Sequence, residues 1–156
     1  MRCMKKRTFQ NVPLRNALHT IFLLTFSMER VIDRLLKANM KMTLAHFRML
    51  VALRHKANIS QQATADFWGL TQASTSRQIE QLRKEKMIIK VRNPKNQKEY
   101  LLSLSKRGRR ETEKAILMID KTFEHLFRDF PNKARLDLAQ LLSHLSAVMC
   151  REINCK

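Results

Sequence analysis

The sequence predicts a mainly α chain: a winged helix-turn-helix with N- and C-terminal dimerisation helices and a small two-stranded β-wing. Breakers are scarce, with two glycines and three prolines among 156 residues, so long helices dominate. Two short capped helical segments meet at Gly69, and two β-type runs flank a polar tip beyond them. The chain divides into an N-terminal arm and dimerisation helix (1–42), the helix-turn-helix with its wing (43–104) and C-terminal dimerisation helices (105–156).

In chain order, Leu14, Leu18, Ile21, Met28, Val31, Ile32 and Leu35 recur at helical spacing, with Arg15, Glu29, Arg30, Asp33, Arg34 and Lys37 on the other face. Thr43 caps a second helix whose predicted buried stripe is Phe47, Leu50, Val51 and Leu53. Ser60 opens a third that closes on Gly69, and Thr71 caps a fourth running through Leu82. Residues 88–92 and 99–104 are the β-type runs, and the polar, Pro-containing Asn93-Pro-Lys-Asn-Gln-Lys between them forms the hairpin tip. Ser105 then caps a long helix, with Ala115, Ile116, Ile119, Phe123, Leu126, Phe127 and Phe130 inward, which Pro131 should stop. Leu138, Leu141, Leu142, Leu145, Val148 and Met149 mark the last helix. The outer helices carry more apolar face than one winged helix can cover, which predicts a homodimer with two recognition helices set for a palindromic site.

Composition points to a polyanionic partner. Thirty-one Lys and Arg stand against 13 Asp and Glu, a formal charge of +18, and such a surface attracts nucleic acid through counterion release. Charge alone also suits RNA or an anionic membrane surface, and it is the helix-turn-helix that selects double-stranded DNA. No apolar run approaches a membrane span, and the basic start lacks the apolar stretch of a signal peptide, so the expected location is cytoplasmic. Cys3, Cys150 and Cys155 share no zinc-type spacing with one another or with the histidines, and His125 and His144 lack a partner at i+4. No metal or cofactor is expected, and oxidant sensing by these thiols stays open. Scattered acidic residues, with no nucleophile elbow or phosphate loop, argue against an enzyme.

With Ile79 and Leu82 fixed inward, steps of about 100° per residue turn Ala73, Ser74, Arg77, Gln81 and Lys84 outward, with Gln78 on the flank and Thr75 mostly inward. Arg grips guanine O6 and N7 in bidentate fashion, Gln does the same for adenine, and Ala lies against a thymine methyl. The expected DNA-binding set is therefore Thr71, Gln72, Ala73, Ser74, Thr75, Arg77, Gln78, Gln81 and Lys84 from the helix, with Arg92, Lys95, Asn96 and Lys98 from the wing. Lys84, with Arg83 and Lys86, falls where the groove wall rises and should touch phosphate.

Several segments together resemble the MarR family, the multiple-antibiotic-resistance type of winged-helix repressor. Phe47-Arg-Met-Leu-Val-Ala-Leu resembles the helix before the motif, Ile59-Ser-Gln-Gln through Gly69-Leu-Thr-Gln its first helix and turn, and Ser76-Arg77 through Leu82 its recognition helix. Residues 91–98 leading to Leu102-Ser-Leu-Ser-Lys-Arg-Gly resemble the wing and the entry to the next helix. The resemblance implies an obligate homodimer, palindromic operators and, in many members, release by small aromatic acids, metals or oxidants. It places an inducer pocket between the dimer helices and the winged helix, which makes His19, Phe22, Phe26, Arg48 and Trp68 candidates by location.

Asn96 and Lys98 stand where the family has an Asp bracing an Arg, Thr64 where it prefers Leu, and Lys86 where Gly ends the recognition helix. A wing without that pair should bind a narrow minor groove less well, since Lys is a more strongly hydrated point charge. The expected function is a sequence-specific transcriptional regulator, a repressor in form, with a small-molecule inducer as an option. The rival is an architectural DNA-coating protein in which charge does the binding, and a third option is a protein-binding adaptor.

Overall fold

The structure, a computed structural model, describes residues 14–152, apart from the side chains of Leu14, Arg15, Trp68, Cys150 and Glu152. The chain forms two compact units that divide after Leu117. The first contains α1 (Leu14–Met40), α2 (Leu44–His55), β1 (Ile59–Ser60), α3 (Gln61–Trp68), α4 (Gln72–Lys84), β2 (Ile88–Asn93) and β3 (Asn96–Leu104). Helix α5 (Lys106–Leu126) runs from the first unit into the second, which also holds α6 (Asn132–Glu152).

The helix starts are fixed by the expected hydroxyls. Thr43 Oγ1 accepts the His46 N–H at 3.2 Å, Ser60 Oγ that of Ala63 at 3.0 Å, and Thr71 Oγ1 that of Ser74 at 3.3 Å. Each satisfies one of the amides a helix leaves unpaired at its start. Gly69, in the left-handed region at φ 60°, closes α3, and Leu70 N–H returns to the Ala65 carbonyl at 2.9 Å. Thr64, the departure from Leu, is fully buried, but its hydroxyl donates to the Ser60 carbonyl at 2.9 Å and so costs little.

In α2 the buried arc is His46, Met49, Leu50 and Leu53, with Ala52 beside it. Phe47 and Val51, expected inward, are only half-buried, because the i, i+3, i+4, i+7 row that meets the core starts at His46. Among the described residues, Leu36, Met49, Leu50, Leu53, Ile79, Leu82 and Leu102 are large apolar side chains withdrawn from water.

The sheet has three antiparallel strands in the order β1-β3-β2, one more than the predicted hairpin. The added strand pairs Ile59 with Leu102 and Ser60 with Leu101. Two residues are too few to display an alternating pattern, so nothing in the sequence announced it.

Helix α5 ends at Leu126, ahead of Pro131. The Arg135 guanidinium caps the turn that follows, donating to the carbonyls of Phe130 at 3.0 Å and Arg128 at 2.7 Å. Pro131 instead opens α6, its carbonyl accepting the Arg135 N–H at 3.1 Å. Ala115 and Ile119 are buried and Ile116, Phe123 and Phe127 half-buried, whereas Leu126 and Phe130, expected inward, are exposed. Phe127 packs edge-on to Phe130 with centroids 5.4 Å apart. On α6, Leu138, Leu141, Leu142, Val148 and Met149 all face solvent.

Candidate nucleic-acid interface

Recognition-helix candidate α4 is anchored by its inner row. Thr75, Ile79 and Leu82 are buried, and they turn Gln72, Ala73, Arg77, Gln81 and Lys84 to solvent. Thr71 is exposed as well, while Ser74 and Gln78 are half-buried and joined by a bond from Gln78 Nε2 to Ser74 Oγ at 3.2 Å. Thr75 is a correction. Its side chain has 0% exposure and its hydroxyl oxygen has no partner, so it belongs to the core and is not available to a base edge.

Arg77 carries its charge outward with Nε 3.4 Å from the Ala73 carbonyl. Ser76, Arg77, Glu80, Gln81 and Lys84 line one open groove along α4. Ser76 and Glu80 were not singled out from sequence. Glu80 bonds Arg83 at 3.0 Å and meets Lys90 of β2 at 3.5 Å. The bond from Arg83, helped by the charges of Arg83 and Lys90, holds its carboxyl below the usual range. An acid on the candidate recognition helix is thus neutralised by two cations, one of them on the wing.

The end of α4 explains the missing glycine. Lys86 takes φ 58°, the left-handed conformation Gly would adopt without strain. Its N–H bonds the Arg83 carbonyl at 2.9 Å, Met87 N–H returns to Leu82 O at 2.9 Å, and Ser105 Oγ donates to the Lys86 carbonyl at 2.7 Å. These bonds offset the local cost. They also fix the angle at which the chain leaves the helix for the wing.

In the wing, Arg92, Lys95, Asn96 and Lys98 are all exposed. Asn93 Oδ1 accepts the Lys95 N–H at 3.0 Å and Asn96 Oδ1 the Lys98 N–H at 3.2 Å, two side-chain turns that shape the tip. Asn96 therefore braces the backbone of Lys98. Arg92 Nη1 reaches the Gln97 carbonyl at 3.3 Å.

Among the described residues, the inducer candidates are not enclosed within one chain. His19, Phe22 and Phe26 lie on solvent-exposed stretches of α1, Arg48 on α2 pairs with the Glu29 carboxylate, and Trp68 lies outside the described side chains. A cavity of about 420 Å³ opens elsewhere, lined by Asp120, Phe123, Glu124, Phe127, Phe130, Arg135 and Leu138 of the second unit. Among the described residues no cluster of His, Cys, Asp or Glu can hold a metal ion, and no helix is long and apolar enough to cross a membrane. Cys3, Cys155 and the Cys150 side chain lie outside the described residues.

Residues 42–100 match the model of the MarR family. The fold is similar to that of wild-type apo MarR from E. coli, with 18% identity, a TM-score of 0.77, and 87% of this chain and 98% of that one covered. It is also similar to the transcriptional regulator BldR from Sulfolobus solfataricus, at 17% identity and TM-score 0.74 over 87% and 94% of the two chains. A MarR transcriptional regulator from Methanosarcina mazei Go1 gives 18% identity and TM-score 0.76 over 88% and 98%. No curated protein matches the chain.

Proposed function

We propose, from the match of residues 42–100 to the MarR family model and the shared winged-helix fold, that this chain is a MarR-family regulator: a cytoplasmic, sequence-specific transcriptional repressor that binds a palindromic operator as a homodimer. The observation that carries the reading is the outer face of α4, where Gln72, Ala73, Arg77, Gln81 and Lys84 stand exposed on a helix locked by a buried inner row. That face offers bidentate donors for base edges at its start and middle and a cation for phosphate at its end. Coating DNA by charge needs no such donors.

Dimerisation is supported by apolar side chains that one chain leaves in water. Leu18, Phe22 and Phe26 of α1, with Leu138, Leu141 and Met149 of α6, are each at least 40% exposed. Burying one such side chain favours association by about 1.5–3 kcal/mol before the entropic costs of binding. A two-fold dimer then sets two copies of α4 on successive major-groove faces, and a bound dimer represses by occluding a promoter. Phe22 and Phe26, one helical turn apart and exposed on α1, offer aromatic contacts for a small aromatic inducer.

Selection of bound duplexes from a random pool tests the reading. The expected product is an inverted repeat with half-site centres about one helical turn apart. Retention of DNA without sequence enrichment would favour the architectural alternative, in which the +18 charge does the binding.

A further inference from the structure

The wing departs from its family at Asn96 and Lys98, yet it holds a well-placed arginine elsewhere. Arg92 is the last residue of β2 in regular register, directly across from Tyr100 of β3, and the register breaks between Arg92 and Asn93. Lys98 lies in the irregular stretch beyond that break, with its N–H turned to the Asn96 side chain. Arg92 is on the ladder and Lys98 is off it. A ladder residue keeps the direction its strand gives it, whereas one in a bulge is re-aimed.

Direction follows from alternation along β2. Ile88 is buried, so Lys90 and Arg92 continue its face, and Ile89 and Val91 occupy the other, each 47% exposed. Lys90 meets Glu80 of α4 at 3.5 Å, which fixes that face as the one on the recognition-helix side. Tyr100 shares the face. Lys90 Nζ stands 4.5 Å and the Arg92 guanidinium carbon 5.6 Å from the Tyr100 ring centroid. Both distances lie within cation–π range.

We propose that Arg92 is the wing side chain that enters the minor groove beside the operator, that Tyr100 is its positioning residue, and that the Glu80–Lys90 pair ties this unit to α4. The assignment rests on the DNA-binding reading above and extends it. A guanidinium is planar and weakly hydrated, so it enters a narrow, electronegative groove at less desolvation cost than an ammonium. One of its five donors is held by the Gln97 carbonyl, and the rest of the fork is left for base-edge or sugar oxygens. The ring beneath reduces the rotamer freedom that an arginine on an open strand would lose on binding. The narrow groove of an A-tract is the matching DNA feature.

Two duplexes that share the selected core and differ only in their flanks, A-tract or alternating G·C, provide the test. The wild-type protein should prefer the A-tract flanks, and Arg92→Lys and Tyr100→Leu should each reduce that preference by about two- to fivefold. Tyr100→Phe should retain it, and Lys98→Gln should weaken both duplexes alike. An unchanged preference in Arg92→Lys, or a preference lost only in Lys98→Gln, would overturn the assignment while leaving recognition by α4 standing. Failure of the wild-type protein to bind either duplex would overturn the DNA-binding reading itself. A readout without DNA isolates the positioning: ¹⁵N relaxation of the Arg92 Nε–H should report order in wild type and Tyr100→Phe and greater mobility in Tyr100→Leu. Equal mobility in all three would remove Tyr100 from its role.

Discussion

Ser105 joins the end of the recognition helix to the start of α5: its hydroxyl donates to the Lys86 carbonyl at 2.7 Å and accepts the Gly108 N–H at 2.9 Å. One side chain thus caps α5 and holds the left-handed turn of Lys86. Ser105→Ala should cost about 0.5–2 kcal/mol, the range for a lost N-cap. Lys86→Gly should stabilise by about 0.5–1 kcal/mol, because relief of left-handed strain exceeds the entropy glycine adds to the unfolded chain. Urea denaturation reads both, and opposite signs are expected.

Gly108 has a different reason to be glycine. A Cβ there would stand 1.9 Å from the Met87 carbonyl oxygen, a backbone atom that cannot step aside. Gly108→Ala should destabilise by about 1–3 kcal/mol through overpacking. A midpoint in urea equal to that of wild type would mean that α5 and the β2 entry are not in contact as described.

Thr75 offers a separate check on which face of α4 is buried. Its hydroxyl is sealed in the core without a partner, so Thr75→Val exchanges an unsatisfied polar group for a methyl of nearly equal shape. Stability should hold or rise by about 1 kcal/mol, with operator affinity unchanged. Weakened DNA binding at full stability would show that Thr75 reaches the groove.

The helix starts were legible because caps act locally: Thr43, Ser60, Thr71 and Ser105 each bond an amide three residues on. The outward face of α4 was legible from two fixed core positions and a constant angular step. Features that depend on distant partners were not. The Ile59–Ser60 strand exists because β3 lies beside it, the turn after α5 is held by Arg135 from the next helix, and the place of Arg92 over Tyr100 follows from a register that no residue spacing reveals.

Dimerisation should fail when charge is placed on the unpartnered faces. Phe22 is 69% exposed on α1 and Leu141 69% exposed on α6, so neither supports the fold of one chain. Phe22→Glu with Leu141→Glu should halve the sedimenting mass of a dimer at micromolar concentration without lowering helix content. A wild-type chain that sediments as a monomer would contradict the two-half-site geometry.

In the proposed reading α4 reads sequence, and Arg77 is its exposed mid-helix arginine. The most direct measurement is the ratio of operator to scrambled-duplex affinity, at one salt near physiological, for wild type, Arg77→Ala and Lys98→Ala. Arg77→Ala should lose about 1–3 kcal/mol on the operator and much less on scrambled DNA, while Lys98→Ala should weaken both about equally and lower the salt slope. An Arg77→Ala protein whose affinities fall in parallel on both duplexes would make Arg77 a phosphate contact and contradict the account.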